Sequence, residues 1–135
     1  MSLASLIPLY IATIPLFIAL DLLWLGVVAK GLYQEQLSHL LGPIRWPAAF
    51  VFYAVFVAGI IFFAVYPALE KQSLVHAALL GALFGFFCYA TYDLTNMATL
   101  KNWPLMITLV DIVWGAVLCS AVASGSYLIA TKLLG

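Results

Sequence analysis

Charge is what this chain has least of: five Lys+Arg and five Asp+Glu make up 7% of its residues, against roughly a quarter in a soluble domain. So few charges cannot keep a whole surface in water. Their even balance also leaves no basic or acidic block, so no nucleic-acid partner is expected. Cysteine is almost as scarce. Cys88 and Cys119 each sit alone in an apolar run, with no CxxC or Cys/His spacing. That excludes a disulfide framework or a structural zinc site and leaves both as small packing residues. Of the two histidines, His39 falls in the first loop and His76 near a span end, and both read as surface groups rather than ligands. Neither a metal nor a cofactor is expected.

What the chain has in quantity is apolar surface, 67% of its residues, with a mean hydropathy of +1.18. A spanning helix needs about 20 mostly apolar residues, and four segments qualify: 4–29, 47–69, 73–99 and 104–131. Backbone N–H and C=O groups in lipid must be satisfied internally, which makes all four α-helical. The expected fold class is therefore all-α: a polytopic, multi-pass membrane protein folded as a four-transmembrane-helix bundle, one domain over residues 1–135. The first apolar stretch has no basic segment ahead of it and outruns the roughly 7–15 residues of a signal sequence, so it is expected to stay as the first span. Membrane lipids are the partner these surfaces imply.

Between the first two spans, Tyr33, Leu37, Leu40, Leu41 and Ile44 recur at helical spacing opposite Gln34, Glu35, Gln36 and Ser38. That pattern predicts a short helix over 31–44 lying at the interface. Glu70-Lys71-Gln72 and Lys101-Asn102-Trp103-Pro104 make the other two loops tight. Trp46, Trp103 and Tyr66 stand at span ends, as interfacial residues do. Pro8 and Pro15 predict a kink in the first span. Stripes of small residues mark close helix contacts: Ala77, Gly81 and Gly85; Gly115, Cys119 and Ala123; Ala54 and Ala58. Orientation is weakly coded. Lys30, Arg45 and Lys101 face one side, Lys71 and Lys132 the other, which favours the first side as cytoplasmic, while insertion both ways with antiparallel pairing also fits so small a bias.

Against this background three acids stand out. Asp21, Asp93 and Asp111 lie within spans, where a carboxylate costs at least about 2.5–3.5 kcal/mol. Asp21 is nine residues before Lys30, Asp93 eight before Lys101 and Asp111 ten after it. At 1.5 Å per residue all three lie roughly 12–15 Å from one membrane face. Since the helices alternate in direction, equal depth has to be built three separate times, and a shared polar site accounts for it. Tyr89, Asp93 and Asn96 share a face of the third span, as Thr108, Asp111 and Gly115 do on the fourth. Tyr53 reaches the same level from the second span and offers a phenol. Trp24 and Trp114 each follow an acid by three residues, where an indole can donate to a carboxylate or wall a cavity. Three carboxyls at one depth resist ionising together, so at least one is expected to hold a proton at neutral pH.

Asp21-Leu22-Leu23-Trp24-Leu25-Gly26, Tyr89-Ala90-Thr91-Tyr92-Asp93-Leu94-Thr95-Asn96 with Ala98-Thr99-Leu100, and Thr108 with Asp111-Ile112-Val113-Trp114-Gly115 carry a resemblance to a known family. The chain resembles the small bacterial predicted membrane proteins labelled domain of unknown function 2177, over essentially its whole length. The resemblance implies a bacterial inner-membrane protein and brings no activity, substrate or cofactor with it.

Three functions compete. Proton- or cation-coupled transport, or ion binding, puts the ion at the aspartates and a small solute against the aromatic residues; a four-helix bundle is narrow, so transport would call for a homodimer. A lipid- or hydrophobe-binding or structural membrane subunit would use the acids to orient a ligand or a partner helix. A membrane-embedded hydrolase would use two aspartates as an acid/base pair, as in the lipoprotein signal peptidases, whose asparagine-aspartate motifs are not legible here. Intramembrane acids without a catalytic motif favour the first, and favour a protein that is not an enzyme.

Overall fold

The structure, a computed structural model, describes residues 2–134. α1 (Leu3–Leu23) starts at Ser2, whose hydroxyl caps Ser5 N, and runs through Pro8 and Pro15. It widens at Trp24–Val28 into a π-type turn closed by Ala29 N–H donating to the Trp24 carbonyl at 2.8 Å. Ala29 then leaves helical geometry, and the chain restarts as the short α2 (Lys30–Leu37). α3 (Trp46–Ile60) opens on Pro47 and also widens, at Ile61–Val65. Pro67 lies just past this second wide turn; it has no N–H to donate, and its ring crowds the carbonyl four residues back. α4 (Tyr66–Lys71) finishes the second span and ends at Gln72 in the left-handed region, φ 52°. Ser73 then caps α5 (Leu74–Thr99) by accepting from His76 N–H at 3.1 Å. A turn through Asn102, φ 60°, leads to α6 (Leu105–Ile129), which Ala130–Leu134 extends by a last wide turn.

Four helical stretches are long and apolar enough to cross a membrane: Ala4–Val28, Trp46–Lys71, Leu74–Thr99 and Leu105–Leu134. Their outer faces carry apolar side chains one turn apart, such as Ile7 and Ile11, Val51 and Val55, or Leu109, Val113 and Val117, all more than half exposed. A soluble bundle keeps such rows inside. The reversal identifies lipid as the solvent for this surface.

Among the described residues α5 and α6 make the most extensive helix pairing. Gly81 and Gly85 of α5 meet Cys119 and Gly115 of α6 so tightly that a Cβ on Gly85 would fall 2.0 Å from the Gly115 carbonyl oxygen, and one on Gly81 2.5 Å from that of Cys119. Two of the small-residue stripes are thus the two halves of one seam. The third behaves differently: Ala54 and Ala58 are exposed beside α1, where the Tyr10 hydroxyl donates to the Ala54 carbonyl at 2.7 Å. On the other side of the seam Leu9, Phe17, Val57, Ile60, Ala64, Leu118 and Val122 fill the core completely.

The first loop departs from its expected form. Helix predicted over 31–44 stops at Leu37, where Leu40 and Leu41 N–H groups both turn back onto its carbonyl. Gly42-Pro43 explains the stop, since proline disfavours a helical residue before it and has no N–H to continue the ladder.

Candidate functional site

At the α2 end of the bundle the helices do not close on one another. They leave a cavity of about 480 Å³ bounded by α1, α2, α3, α5, α6 and the chain after α2. Asp21 and Asp111 both line it, between walls of Tyr89, Tyr92, Trp103, Trp114, Phe52 and Phe56. Among the described residues no lysine, arginine or histidine lines it, so the formal charges they bring to it are acidic.

Asp111 is the centre of the acid group. Its Oδ1 accepts the Tyr33 hydroxyl at 2.7 Å, and that phenol oxygen accepts the Trp24 indole N–H at 3.2 Å. Trp24 also lies flat on Trp114, centroids 4.5 Å apart and planes 8° from parallel, which joins the two acid-indole segments face to face. The wide turn at Trp24 helps to set up this arrangement: it rotates the end of the first span and lets α2 fold back with Tyr33 inward. Asp93 lies beside Asp111, and Asp21 faces Asp111 from α1. The Trp114 N–H lies near Asp21 without closing a hydrogen bond of normal geometry.

Asp93 is the anomaly. It is 0% exposed and neither carboxyl oxygen has a hydrogen-bond partner. An isolated buried carboxylate would be prohibitively costly in such a place. Beside Asp111 a single proton held between the two carboxyls resolves the cost, as in other paired acids. The Trp103 N–H is likewise buried and unpartnered, and its ring meets Tyr92 edge-on at 6.0 Å.

Not every residue singled out in the sequence faces the cavity. Asp21, Asp111, Tyr89 and Trp114 line it; Trp24 and Asp93 support it. Thr108 is buried, but its hydroxyl donates back to the Pro104 carbonyl at 3.0 Å and lies 3.7 Å from the Met97 sulfur. Tyr53 is drawn into an aromatic cluster with Phe17 at 5.8 Å and Phe52 at 5.5 Å, off the lining. Asn96 is half-buried, a helical turn along from Tyr92.

Tyr33 and Trp103 are the residues that sequence reasoning placed elsewhere, one on an interfacial helix face and the other at a span end. Tyr33 is half-buried and bonded to Asp111, while Leu37 and Leu41 of the same apolar row line the cavity. Of the row expected to lie at the interface, Tyr33 and Leu37 turn into the bundle, while Leu40, Leu41 and Ile44 stay exposed. The head of the row meets the acid site through Tyr33, and its phenol was the available signal. Burial raises the Tyr33 phenol above the usual tyrosine range; the Trp24 N–H opposes this and Asp111 adds to it, so the group stays a donor.

Among the described residues no three His, Cys, Asp or Glu side chains are arranged to hold a metal ion. The three aspartates therefore gather more loosely than a coordination shell. No curated protein and no solved structure matches the chain. A family model described as "Predicted membrane protein (DUF2177)" matches residues 6–128. With the four apolar spans this match is decisive: the chain is a membrane protein of the DUF2177 family.

Proposed function

We propose that this cavity is a proton-exchanging ion or ligand site serving proton- or cation-coupled transport, in a bacterial inner (cytoplasmic) membrane. The observation that carries the reading is the fully buried, unpartnered Asp93 beside cavity-lining Asp111. Acids that only join helices are expected to have their oxygens bonded across the interface. Asp93 instead has no donor but the proton it shares with Asp111. A carboxyl pair with one proton between it can release that proton when a cation approaches Asp111 and take it back when the cation leaves. Charge then stays nearly constant inside the bundle, where a change in charge is expensive. Asp93 is shut off behind Asp111, which suits a proton store better than one half of a catalytic pair facing a substrate. A second copy of the chain would complete a transport path that four helices leave narrow.

Titration of purified full-length protein in weak buffer should show proton exchange by the acid group. Asp93→Asn and Asp111→Asn should each remove part of that exchange. Identical proton uptake in wild type and in both folded variants would defeat the reading. Reconstitution in liposomes with an internal pH dye then asks whether the exchange crosses the membrane.

A further inference from the structure

The lining restricts what kind of cation the site can take. An inorganic cation is held by several oxygens in a compact shell, and no such grouping exists among the described residues. Around the two acids the wall is instead carbon, supplied largely by faces and edges of aromatic rings. Rings of this kind attract a positive charge through their quadrupole, most strongly when water is excluded, and they also bury apolar substituents. A volume of about 480 Å³ is within the range of sites for small organic molecules. Anions are disfavoured by the acids, and neutral hydrophobes gain nothing from them. Trp24, stacked on Trp114, stiffens the wall beside Asp21.

Resting on the proton-exchange reading above, we infer that the ligand is a hydrophobic organic cation, a monovalent onium or protonated amine with aromatic or aliphatic substituents, which displaces one proton from the Asp93/Asp111 pair as it binds. One positive charge enters, one proton leaves to solvent, and no covalent bond of the ligand changes. The substituents occupy the aromatic wall, and the positive centre lies between Asp21 and Asp111.

The test uses purified full-length protein with tetraphenylphosphonium as the cation and triphenylphosphine oxide as a neutral molecule of similar bulk. Binding is followed by quenching of the wall tryptophans and by calorimetry, with proton release recorded in weak buffer. The cation should bind saturably and at least about tenfold more tightly than the neutral probe, a factor within reach of one desolvated ion pair or cation–π contact. Proton release should accompany it. Asp111→Asn should weaken the cation by a similar factor and leave the neutral probe unchanged; should that variant misfold, Asp21→Asn and the wild-type comparison of the two probes carry the decision. Equal binding of both probes, insensitive to the acids, would overturn the inference in favour of a site for neutral apolar molecules. Aspartate-dependent proton exchange without cation binding would overturn the organic ligand alone and leave the proton site standing. If neither proton exchange nor cation binding depends on the aspartates, both proposals fall.

Discussion

The two ends of the bundle treat buried polarity in opposite ways. Toward the chain termini, Thr13 and Ser126 are both fully buried, yet their hydroxyls meet at 2.8 Å and Thr13 Oγ1 also lies 2.7 Å from the Leu9 carbonyl. Around this pair Phe17, Leu118 and Val122 are completely buried. At the α2 end Asp93 is equally buried but unpartnered, and space is left in front of Asp111. Polar groups that hold helices together are satisfied within the fold, whereas this acid group is satisfied only in part and faces a cavity.

The sharpest way to break this contrast is at the seam. Gly85→Leu should have the largest effect on folding, because even its Cβ would collide with the Gly115 backbone, which cannot move as a side chain can. Overpacking of this kind costs about 1–3 kcal/mol and more where backbones must part, and thermal unfolding of purified protein should show the largest drop in Tm for this variant. A milder change, toward the chain termini, is Thr13→Val, which strands the Ser126 hydroxyl. Interhelical hydrogen bonds in membranes are worth about 0.6 kcal/mol and up to about 1.7, so a loss of that size is expected. Adding Ser126→Ala should restore part of it, since no orphaned hydroxyl then remains, and a double-mutant cycle measures the coupling.

At the α2 end, Tyr33→Phe removes the donor to Asp111 and should cost about 0.5–1.5 kcal/mol. It also has a pH signature. Because the folded phenol is held above its ordinary range, its contribution to stability is fully present below about pH 10, the usual tyrosine value, and fades as pH rises beyond it. Melting curves of Tyr33→Phe should lack that alkaline fade. The smallest effect on stability is expected at Asp93→Asn, within about 0.5 kcal/mol of wild type, since the amide N–H can donate to Asp111 where the shared proton stood. A fall in Tm as large as that of Thr13→Val would show instead that Asp93 holds the bundle together.

Much of this was legible along the chain. Hydropathy located the four spans to within a few residues, small residues at 77, 81, 85 and 115, 119, 123 marked the seam, and counting from Lys30 and Lys101 put the three aspartates at one level. Tyr53 and Thr108 show the limit of such counting. Both are at the right depth, but one is turned into a ring cluster and the other onto its own helix. Depth along a helix follows from residue number, while the direction a side chain takes depends on which neighbour claims it.

The sequence by itself determined the solvent, the number of crossings and the level of the acids, because each depends only on composition and on a rise of 1.5 Å per residue. Tertiary structure alone decided which groups meet. The glycine seam sets how α5 and α6 are rotated, the wide turn at Trp24 swings α2 inward, and together they bring Tyr33 to Asp111, Trp24 onto Trp114 and Asp93 out of reach of any other partner. Those contacts join residues as far apart as 24 and 114, and they follow from close packing among all the helices, which no local pattern encodes.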